Sequence, residues 1–245
     1  MSKRLVMIPA LNEEQTIGDV VREAQAAIQG ARVLVINDGS TDRTAEVARA
    51  AGALVIDLPL RTGIGCAVQV GYIYALRNGY ELVVRLDGDG QHPADQAAAL
   101  IAKVESGAAD VAVGSRFVIS VSRESTTATR VLGIRLFSVL MRVMFSLRST
   151  DPTSGLWVVG PAALKLLSSH SPDDFPEVES LAVCQRMGLR VCELPVRMRS
   201  RQGGRSSIGY LDALLYMAKV VFSLVVISIR RYDSRGLPKD PLELP

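Results

Sequence analysis

The chain has 245 residues, of which 48% are hydrophobic and 5% aromatic, and its formal net charge at pH 7 is +3. This length provides for one α/β catalytic unit with a sizeable core and a small appendage. The three cysteines form no CxxC motif and no Cys/His cluster, so we expect reduced thiols. Asn12 and two glutamates follow the start too soon for the apolar core of a signal peptide, and we therefore expect a cytoplasmic protein.

The charge is divided unevenly along the chain. Residues 1–115 carry 10 Lys/Arg against 14 Asp/Glu, whereas residues 116–245 carry 18 Lys/Arg against 11 Asp/Glu. A basic second half suits an anionic partner such as a lipid phosphate, a membrane surface or a nucleic acid. On charge alone, arginines scattered over a solvated surface explain the excess equally well.

Short apolar runs alternate with helical stretches in the first half of the chain. Strands are predicted at residues 4–10, 31–38, 53–59, 81–87 and 110–116, and helices between them at about 13–28, 42–51, 64–78 and 93–105. This alternation indicates an α/β fold in which a mostly parallel sheet is covered by helices on both faces. The later elements predicted are a helix at about 129–147, a pair of strands at 155–160 and 190–196, and an apolar last helix at about 210–229.

Polar side chains stand at the ends of four of the predicted strands. They are Asn12 and Glu13, Asn37 and Asp38, Asp87 and Asp89, and Arg116. Ligands of parallel sheets bind beyond the carboxyl ends of the strands. We therefore expect these side chains, which come from well-separated parts of the chain, to converge on one cleft.

The Asp-Gly-Asp-Gly motif that begins at Asp87 follows an apolar strand directly. Asp87 and Asp89, with the small Gly88 between them, can approach one divalent cation. Mg²⁺ and Mn²⁺ prefer such oxygen ligands and are commonly shared with substrate phosphates. Gly88 also lets the backbone pass close to a ligand, and a bound metal would neutralise charge on a departing diphosphate. Taken alone, the motif also fits a solvated Asp-Gly turn.

Two other strand ends carry candidate nucleotide contacts. After the second strand, Ser40 or Thr41 is expected to cap the next helix, whereas Asp38 is placed to accept hydrogen bonds from a base or ribose. Glu13 fits the first turn of a helix, but its place beside Asn12 favours a nucleotide contact.

Seven segments carry a resemblance to a known family: IPALNEE, NDGSTDRT, DGDGQHP, GSRF, DPTSGL, FPEVE and RQGGRSSI. In this order they resemble the family 2 glycosyltransferases, and within that family the polyprenyl-phosphate sugar transferases typified by dolichyl-phosphate mannose synthase. The match runs over about residues 5–229. The resemblance implies a GT-A fold, a UDP- or GDP-type sugar donor, Mg²⁺ or Mn²⁺ as cofactor, and inversion at the anomeric carbon.

The resemblance also implies roles for individual residues. Pro9, Ala10, Asn12 and Glu13 match the segment that holds base and ribose, Asp38 matches a base contact, and Asp87 and Asp89 match the pair around metal and diphosphate, with Gln91 as a further metal ligand. Arg116 matches an arginine that faces the phosphates, and Arg201 and Ser206 match the segment that closes over donor and acceptor. Asp151, Ser154 and Gly155 match the loop that lines the sugar site. From its place in the sequence alone, directly after Gln91, His92 is expected to contact the metal ligands rather than the metal.

The further residues needed for sugar transfer depend on whether the acceptor is a hydroxyl group or a phosphate. A hydroxyl acceptor needs a general base, for which the candidates are Asp151, Glu177 and Glu179. A lipid phosphate is already anionic and needs cations instead, for which the candidates are Arg130, Arg135, Arg201 and Arg205. The arginines at 129–148 equally fit snorkelling at the edge of a membrane or core. Glu177 and Glu179 share a face in an extended segment but diverge in a helix.

We divide the chain into a GT-A catalytic domain at 1–209, a helix at 210–231 and a flexible tail at 232–245. Within the domain, residues 1–115 form the nucleotide-sugar half and 116–209 the acceptor half. The helix contains Asp212 and Lys219 and is too polar for a clean membrane span. It fits a helix in the membrane interface, a contact with a small membrane partner protein, or a homo-oligomer contact. Peripheral association with the cytoplasmic face of a membrane is therefore expected.

The leading hypothesis is inverting transfer of a sugar from a nucleotide diphosphate to polyprenyl phosphate, of the dolichyl or undecaprenyl type, with no nucleic acid partner. The first alternative is transfer to a hydroxyl acceptor in polysaccharide or natural-product biosynthesis. Nucleotidyl transfer is a second alternative, although IPALNEE lacks the Gly-rich basic loop usual there. A non-catalytic binding module is the third.

Overall fold

The computed structural model describes residues 2–118, 128–170, 172, 175–199 and 210–230. Within these ranges one sheet has the strands β1 (Arg4–Ala10), β2 (Arg32–Asn37), β3 (Leu54–Asp57), β4 (Leu82–Arg85), β5 (Val111–Ser115), β6 (Trp157–Val159) and β7 (Val191–Pro195). The strand order is β3-β2-β1-β4-β6-β5-β7. All neighbours pair in parallel except β6, which is antiparallel to β4 and to β5. The predicted mostly parallel sheet is confirmed.

The described helices are α1 (Ile17–Ala27), α2 (Thr44–Ala50), α3 (Ile64–Arg77), α4 (Ala97–Glu105), α5 (Ala128–Phe145), α6 (Pro161–Ser169), α7 (Pro176–Arg186) and α8 (Tyr210–Ile229). A short 3₁₀ turn, Ala94–Gln96, precedes α4. Neither α6 nor α7 was predicted from the sequence. Each begins with a proline at the first helical position, where the missing N–H leaves no hydrogen bond unmade.

The sheet is covered on both faces, and the interiors of its central strands are apolar. In β1, Leu5 and Met7 join one buried cluster with α3 and α5–α8, whereas Val6 and Ile8 join a second cluster with α1 and α4. Side chains of a strand alternate between faces, so an unbroken apolar run is the pattern of a strand buried on both.

The two later strands were predicted correctly in position, but they do not pair with each other. β6 lies between β4 and β5, and β7 pairs in parallel with the other edge of β5. Trp157, the first residue of β6, is opposite Arg85, the last residue of β4. Because β6 is antiparallel, the residues that precede it therefore lie at the edge where the parallel strands end.

The last helix, α8, packs against α5 and α7 through Val220, Leu224 and Ile227, which are buried. Across the ranges that the structure describes, no helix is long and apolar enough to cross a membrane. The predicted site residues Arg201 and Ser206, the candidate Arg205 and the predicted tail at 232–245 lie outside the described residues.

Candidate active site

A cleft of about 290 Å³ opens at the carboxyl ends of β1, β2 and β4. Its walls are formed by Pro9, Ala10, Leu11, Glu13, Asp38, Arg61, Gly63, Ile64, Ala67, Asp87, Gly88 and Asp89. Of the four strand ends expected to converge, three contribute to the cleft, through Glu13, Asp38, Asp87 and Asp89. The predicted Asn12, Asn37 and Arg116 do not line it.

Asp38 is buried and forms one wall by holding the loop that leads into α3. Its Oδ1 accepts hydrogen bonds from the backbone N–H of Thr62 (2.7 Å) and from the hydroxyl of Thr62 (2.8 Å), and its Oδ2 accepts one from the N–H of Gly63 (2.9 Å). These bonds place Arg61 in the wall of the cleft. Sequence reasoning missed Arg61, although a basic residue before a Gly-x-Gly helix start was the available signal.

Asn12 joins the loops after β1 and β2. It is exposed and adopts a left-handed conformation, with φ of 55°. Its N–H donates to Ser40 Oγ at 2.9 Å, and its Oδ1 accepts a hydrogen bond from the N–H of Thr41 at 2.9 Å. The expectation that Ser40 or Thr41 caps α2 is wrong, because both are engaged by Asn12, and Asp42 instead accepts the N–H of Thr44 at 2.9 Å.

Thr16, at the start of α1, connects Glu13 to the Asp-Gly-Asp-Gly motif. Its buried hydroxyl lies 2.8 Å from the carbonyl oxygen of Gly88 and 3.0 Å from Oε2 of Glu13. Pro9 and Ala10, which precede this turn, are buried at the floor of the cleft. The base-and-ribose segment expected from the sequence and the acidic motif thus form one continuous surface.

Three residues, Arg85, His92 and Gly155, lie close to the carboxylate of Asp87. Its Oδ1 lies 3.9 Å from Nη2 of Arg85, and its Oδ2 lies 3.4 Å from Nδ1 of His92. A Cβ placed on Gly155 would lie 2.1 Å from Oδ2 of Asp87. Gly155 is therefore needed because the carboxylate of Asp87 occupies the space that any other side chain would take.

His92 is nearly inaccessible, and neither of its ring nitrogens has a hydrogen-bond partner among the described residues. Burial lowers the pKa of His92, although the carboxylates of Asp87 and Asp89 act in the opposite direction. The ring is consequently neutral at pH 7. A buried imidazole with unmet hydrogen-bonding capacity beside two carboxylates marks a polar position that a ligand or water can complete.

Arg85 is a buried cation that sequence reasoning missed. It is the last residue of β4, its side chain is 3% exposed, and its Nη2 forms an ion pair with Oε1 of Glu177 from α7. Burial works against the charged guanidinium, but Glu177 and Asp87 outweigh it and raise the pKa of Arg85. The available signal was a charged residue inside an otherwise apolar strand, which requires a partner.

A second buried ion pair holds the loop that was expected to line the sugar site. Asp151 is fully buried, and its carboxylate accepts two hydrogen bonds of 2.6 Å from Nε and Nη2 of Arg116. Glu193 of β7 anchors the same loop by accepting hydrogen bonds from the N–H (2.7 Å) and hydroxyl (2.6 Å) of Thr150. Arg116 and Asp151 are therefore brought together as partners of each other rather than as separate faces of the cleft.

Glu177 and Glu179, the two glutamates of FPEVE, lie on α7. Of the extended and helical geometries considered from the sequence, the helical one is therefore found, and the two side chains diverge. Glu177 points to Arg85, whereas Glu179 is buried. Neither lines the cleft.

Gln91 is hydrogen-bonded to the segment that precedes residues 200–209. Its carbonyl oxygen accepts a hydrogen bond from the N–H of Arg199 at 2.9 Å. The guanidinium of Arg199 in turn pairs with Glu23 of α1, with distances of 2.6 and 3.0 Å. The chain therefore passes beside the acidic motif two residues before Arg201.

The oxygen ligands in the acidic motif suit a Mg²⁺ or Mn²⁺ ion that is shared with a substrate. They suit a structural metal that the protein coordinates completely less well. Asp87 and Asp89 both line the cleft, and Gln91 follows them at the same loop. Nowhere in the described chain do three His, Cys, Asp or Glu side chains converge on one position. A pair of carboxylates with an amide leaves coordination positions open for water and phosphate oxygens, as these hard cations require.

Comparison with known proteins agrees with this arrangement. Residues 5–159 match the family model described as Glycosyl transferase family 2. The chain is 26% identical over 240 residues to the polyprenol monophosphomannose synthase of Mycolicibacterium smegmatis, covering 89% of this chain and 85% of that protein. It is 27% identical over 212 residues to the undecaprenyl-phosphate mannosyltransferase of Micrococcus luteus, covering 83% and 86%.

The fold is also that of a solved enzyme of this architecture. The glucosyl-3-phosphoglycerate synthase of Mycobacterium tuberculosis, crystallised with Mn²⁺, UDP and phosphoglyceric acid, superposes with a TM-score of 0.70 at 22% identity, covering 95% of this chain and 80% of that chain. This likeness confirms the expected GT-A fold. With a family model that covers more than half of its length, the chain belongs to the family 2 glycosyltransferases.

Proposed function

We propose that this glycosyltransferase moves a sugar, with inversion, from a nucleotide diphosphate to a polyprenyl phosphate at the cytoplasmic face of a membrane. The observation that carries the donor half of the proposal is the cleft itself, in which Glu13, Asp38, Asp87 and Asp89 converge from three strand ends. Because the chain belongs to a family of enzymes that transfer sugars, the alternative of nucleotidyl transfer has no support.

For the donor, we assign Pro9, Ala10, Asn12, Glu13 and Asp38 to the nucleoside end of the cleft. The carboxylate of Asp38 would accept hydrogen bonds from the base or ribose, through the lone pairs that Thr62 and Gly63 do not use. Arg61, beside Asp38 in the same part of the cleft wall, supplies a guanidinium that suits the diphosphate. Solved relatives of this fold bind UDP, and UDP and GDP are therefore the first nucleotides to test.

For the metal, we assign Asp87, Asp89 and Gln91 as the groups that would hold Mg²⁺ or Mn²⁺. When bound there, the cation supplies charge neutralisation for the departing diphosphate. The protein's own part is to hold the two carboxylates at the end of β4, with Thr16 fixing the carbonyl of Gly88 between them. Gly155 leaves room for Asp87 at the same edge.

A phosphate acceptor fits what the structure shows of the candidate bases. An oxygen of the lipid phosphate attacks the anomeric carbon opposite the diphosphate, the bond to the diphosphate oxygen breaks, and no proton has to be removed. Asp151 and Glu177 are both committed to ion pairs with buried arginines and are poorly placed to accept a proton. We propose that Asp151 shapes the sugar side through Arg116, and that Arg201 and Ser206 close over the phosphates two and seven residues after Arg199.

Membrane association is supported by exposed apolar side chains on α5 and α8, two helices that contact each other, and we call this set the α5–α8 face. Three of its side chains are exposed by more than two thirds: Val143 (75%), Phe222 (71%) and Ile229 (74%). Leu136, Val139, Val225 and Val226 extend it at helical spacing. A patch of this kind on adjacent helices marks an interaction site rather than a solvated surface.

The charges around the α5–α8 face favour an anionic lipid surface as its occupant. Arg135 and Arg142 are exposed on α5, which contains no acidic residue, and Lys219 is exposed on α8. Each basic side chain near an anionic membrane surface contributes about 1 kcal/mol. Exposed apolar side chains bordered by arginines are the pattern of helices that lie in the interface. A small membrane partner protein and a homo-oligomer are the other occupants to be distinguished by experiment.

Vesicle sedimentation tests this part of the proposal. Wild-type protein should co-sediment with vesicles that contain phosphatidylglycerol and much less with vesicles of phosphatidylcholine alone. Phe222→Glu should weaken the binding, whereas Ala26→Glu, which adds the same charge to an exposed position of α1, should not. Equal binding of both variants, or a stable dimer that Phe222→Glu dissociates, would assign the face to something other than lipid.

Product formation tests the reaction. Incubation with Mn²⁺, radiolabelled UDP- and GDP-sugars and undecaprenyl phosphate should yield a lipid-linked sugar. Asp87→Asn should abolish it, whereas Asp95→Asn, an exposed carboxylate on the following turn, should retain it. Donor binding without any lipid product from any donor would reject the lipid-phosphate acceptor.

The alternative acceptor is a hydroxyl group, as on a small phosphorylated acid. It is favoured by the extent of the fold match to glucosyl-3-phosphoglycerate synthase, which covers 95% of this chain. A hydroxyl acceptor requires a general base, for which the candidates are Asp151, Glu177 and Glu179. Replacing the carboxylate that acts as the base by its amide should abolish turnover while donor binding persists. Parallel assays with 3-phosphoglycerate and undecaprenyl phosphate separate the two acceptors.

A further inference from the structure

The carboxylate of Asp87 and the carboxylate of Glu177 compete for one buried cation. The same atom, Nη2 of Arg85, forms an ion pair with Oε1 of Glu177 and lies 3.9 Å from Oδ1 of Asp87. The side chain of Arg85 is 3% exposed, that of Glu177 is 17% exposed and that of Asp87 is 34% exposed. The cation is therefore buried more deeply than either acid, and both acids lie within ion-pair distance of the same nitrogen.

We propose that Glu177 is a positioning residue that holds Arg85 away from Asp87, so that Asp87 stays available to the metal and diphosphate. This inference rests on the proposed function and deepens it, because it gives Glu177 a role in donor binding in place of the role of a base. It concerns a residue that lies outside the walls of the cleft and acts through Arg85.

The physical reason is the cost of a buried charge without a partner. Removing one member of a buried ion pair destabilises a protein strongly unless the remaining ion finds another partner. For Arg85 a substitute is already close, since Nη2 needs to move by only about 1 Å to bring Asp87 from 3.9 Å to an ordinary charge-assisted hydrogen bond of about 2.8 Å. Without the charge of Glu177, the guanidinium would therefore take the carboxylate of Asp87.

An Asp87 that is paired with Arg85 is a poorer metal ligand. A guanidinium neutralises the carboxylate and occupies its lone pairs, and changes in groups that support metal ligands typically lower metal affinity by about 10–100-fold. The other contacts of Asp87 do not prevent this, since Gly155 offers no side chain and His92 makes no hydrogen bond to it among the described residues. Glu177→Gln is thus expected to weaken metal-dependent nucleotide binding about tenfold or more.

The double variant Arg85→Met/Glu177→Gln distinguishes this role from a merely structural one. Methionine is close to the length of the arginine stem and removes the cation that would capture Asp87. Nucleotide binding should therefore recover in the double variant, although both members of the ion pair are gone. A structural role of the pair predicts the opposite, because the double variant loses the same contact as Glu177→Gln.

The measurement is calorimetric titration of UDP and GDP into the full-length protein at several Mn²⁺ concentrations, with free Mn²⁺ followed by electron paramagnetic resonance. Circular dichroism and melting temperature establish that each variant is folded. The inference predicts weak binding in Glu177→Gln, partly restored by raised Mn²⁺, and near wild-type binding in the double variant. Wild-type affinity in Glu177→Gln, or equally weak binding in both variants, would overturn it. If the wild-type protein bound neither nucleotide, the proposed function would fail first.

Discussion

Gly155 gives the sharpest test of how the acidic motif is held. A Cβ at this position would lie 2.1 Å from Oδ2 of Asp87 and 2.5 Å from its Cγ. Since ordinary contact begins at 3.4 Å, the carboxylate or the loop must shift by about 1 Å or more in Gly155→Ala. A displacement of this size at a reacting site lowers the rate by about 100-fold, which corresponds to about 2.7 kcal/mol of transition-state stabilisation.

The same substitution should change the stability of the fold much less than its activity. Asp87 is one-third exposed and can turn towards solvent to relieve the contact. A matched control is Gly133→Ala on α5, where the one contact of the new Cβ among the described residues would be with Sδ of Met217 at 3.7 Å. Alanine in a helix interior is favoured over glycine by about 0.5–1 kcal/mol, so this control should melt at the same temperature or higher and keep full activity.

The assay combines steady-state kinetics with the nucleotide titration and a thermal melt. Gly155→Ala should lose metal-dependent nucleotide affinity and turnover while its melting temperature stays within a few degrees of wild type. Unchanged donor affinity and turnover in Gly155→Ala would show that Asp87 does not need its observed position, and the assignment of the acidic motif to the donor would have to be abandoned.

Three predictions concern groups outside the acidic motif. Asp151→Asn leaves the buried Arg116 without its counter-ion and should lower the free energy of unfolding by about 3–5 kcal/mol in urea titrations; unchanged stability would contradict the pairing. Burial raises the pKa of the Cys184 thiol to about 12, so iodoacetamide should label it only after unfolding. The hydrogen-bonded Arg190 lowers the pKa of Asp110, so the pair stabilises the fold above the ordinary aspartate pKa. The stability gap between wild type and Asp110→Asn should be constant near pH 7 and narrow as pH falls below about 3.9.

Much of the fold could be predicted because its determinants are local. The runs that became β1, β2, β4 and β5 are apolar except at their ends, which is the pattern of strands covered on both faces. The helices between them have the length that parallel crossovers need. The cleft followed from topology, because parallel strands bring their carboxyl ends to one edge whatever side chains they carry.

The parts that could not be predicted depend on pairing between distant residues. Arg85 and Glu177 are 92 positions apart, and Arg116 and Asp151 are 35 apart. Three of these four residues were named from the sequence, but as phosphate contacts or bases, since a single sequence shows which charges exist and not which ones neutralise each other. Only the burial of Arg85 in an apolar strand indicated that a partner had to exist.

The antiparallel β6 explains how two separate segments of the sequence become one site. It lies between β4 and β5, and Trp157 is opposite both Arg85, the last residue of β4, and Val113, in the middle of β5. The indole N–H of Trp157 donates to the carbonyl of Ser154 at 2.7 Å, which fixes the turn that precedes the strand. Slippage by two residues would keep the same side chains facing the core but move Gly155 by nearly 7 Å. The contact between Gly155 and Asp87 is therefore set by the register of the sheet, so the geometry of the acidic motif is a property of the core as well as of its loop.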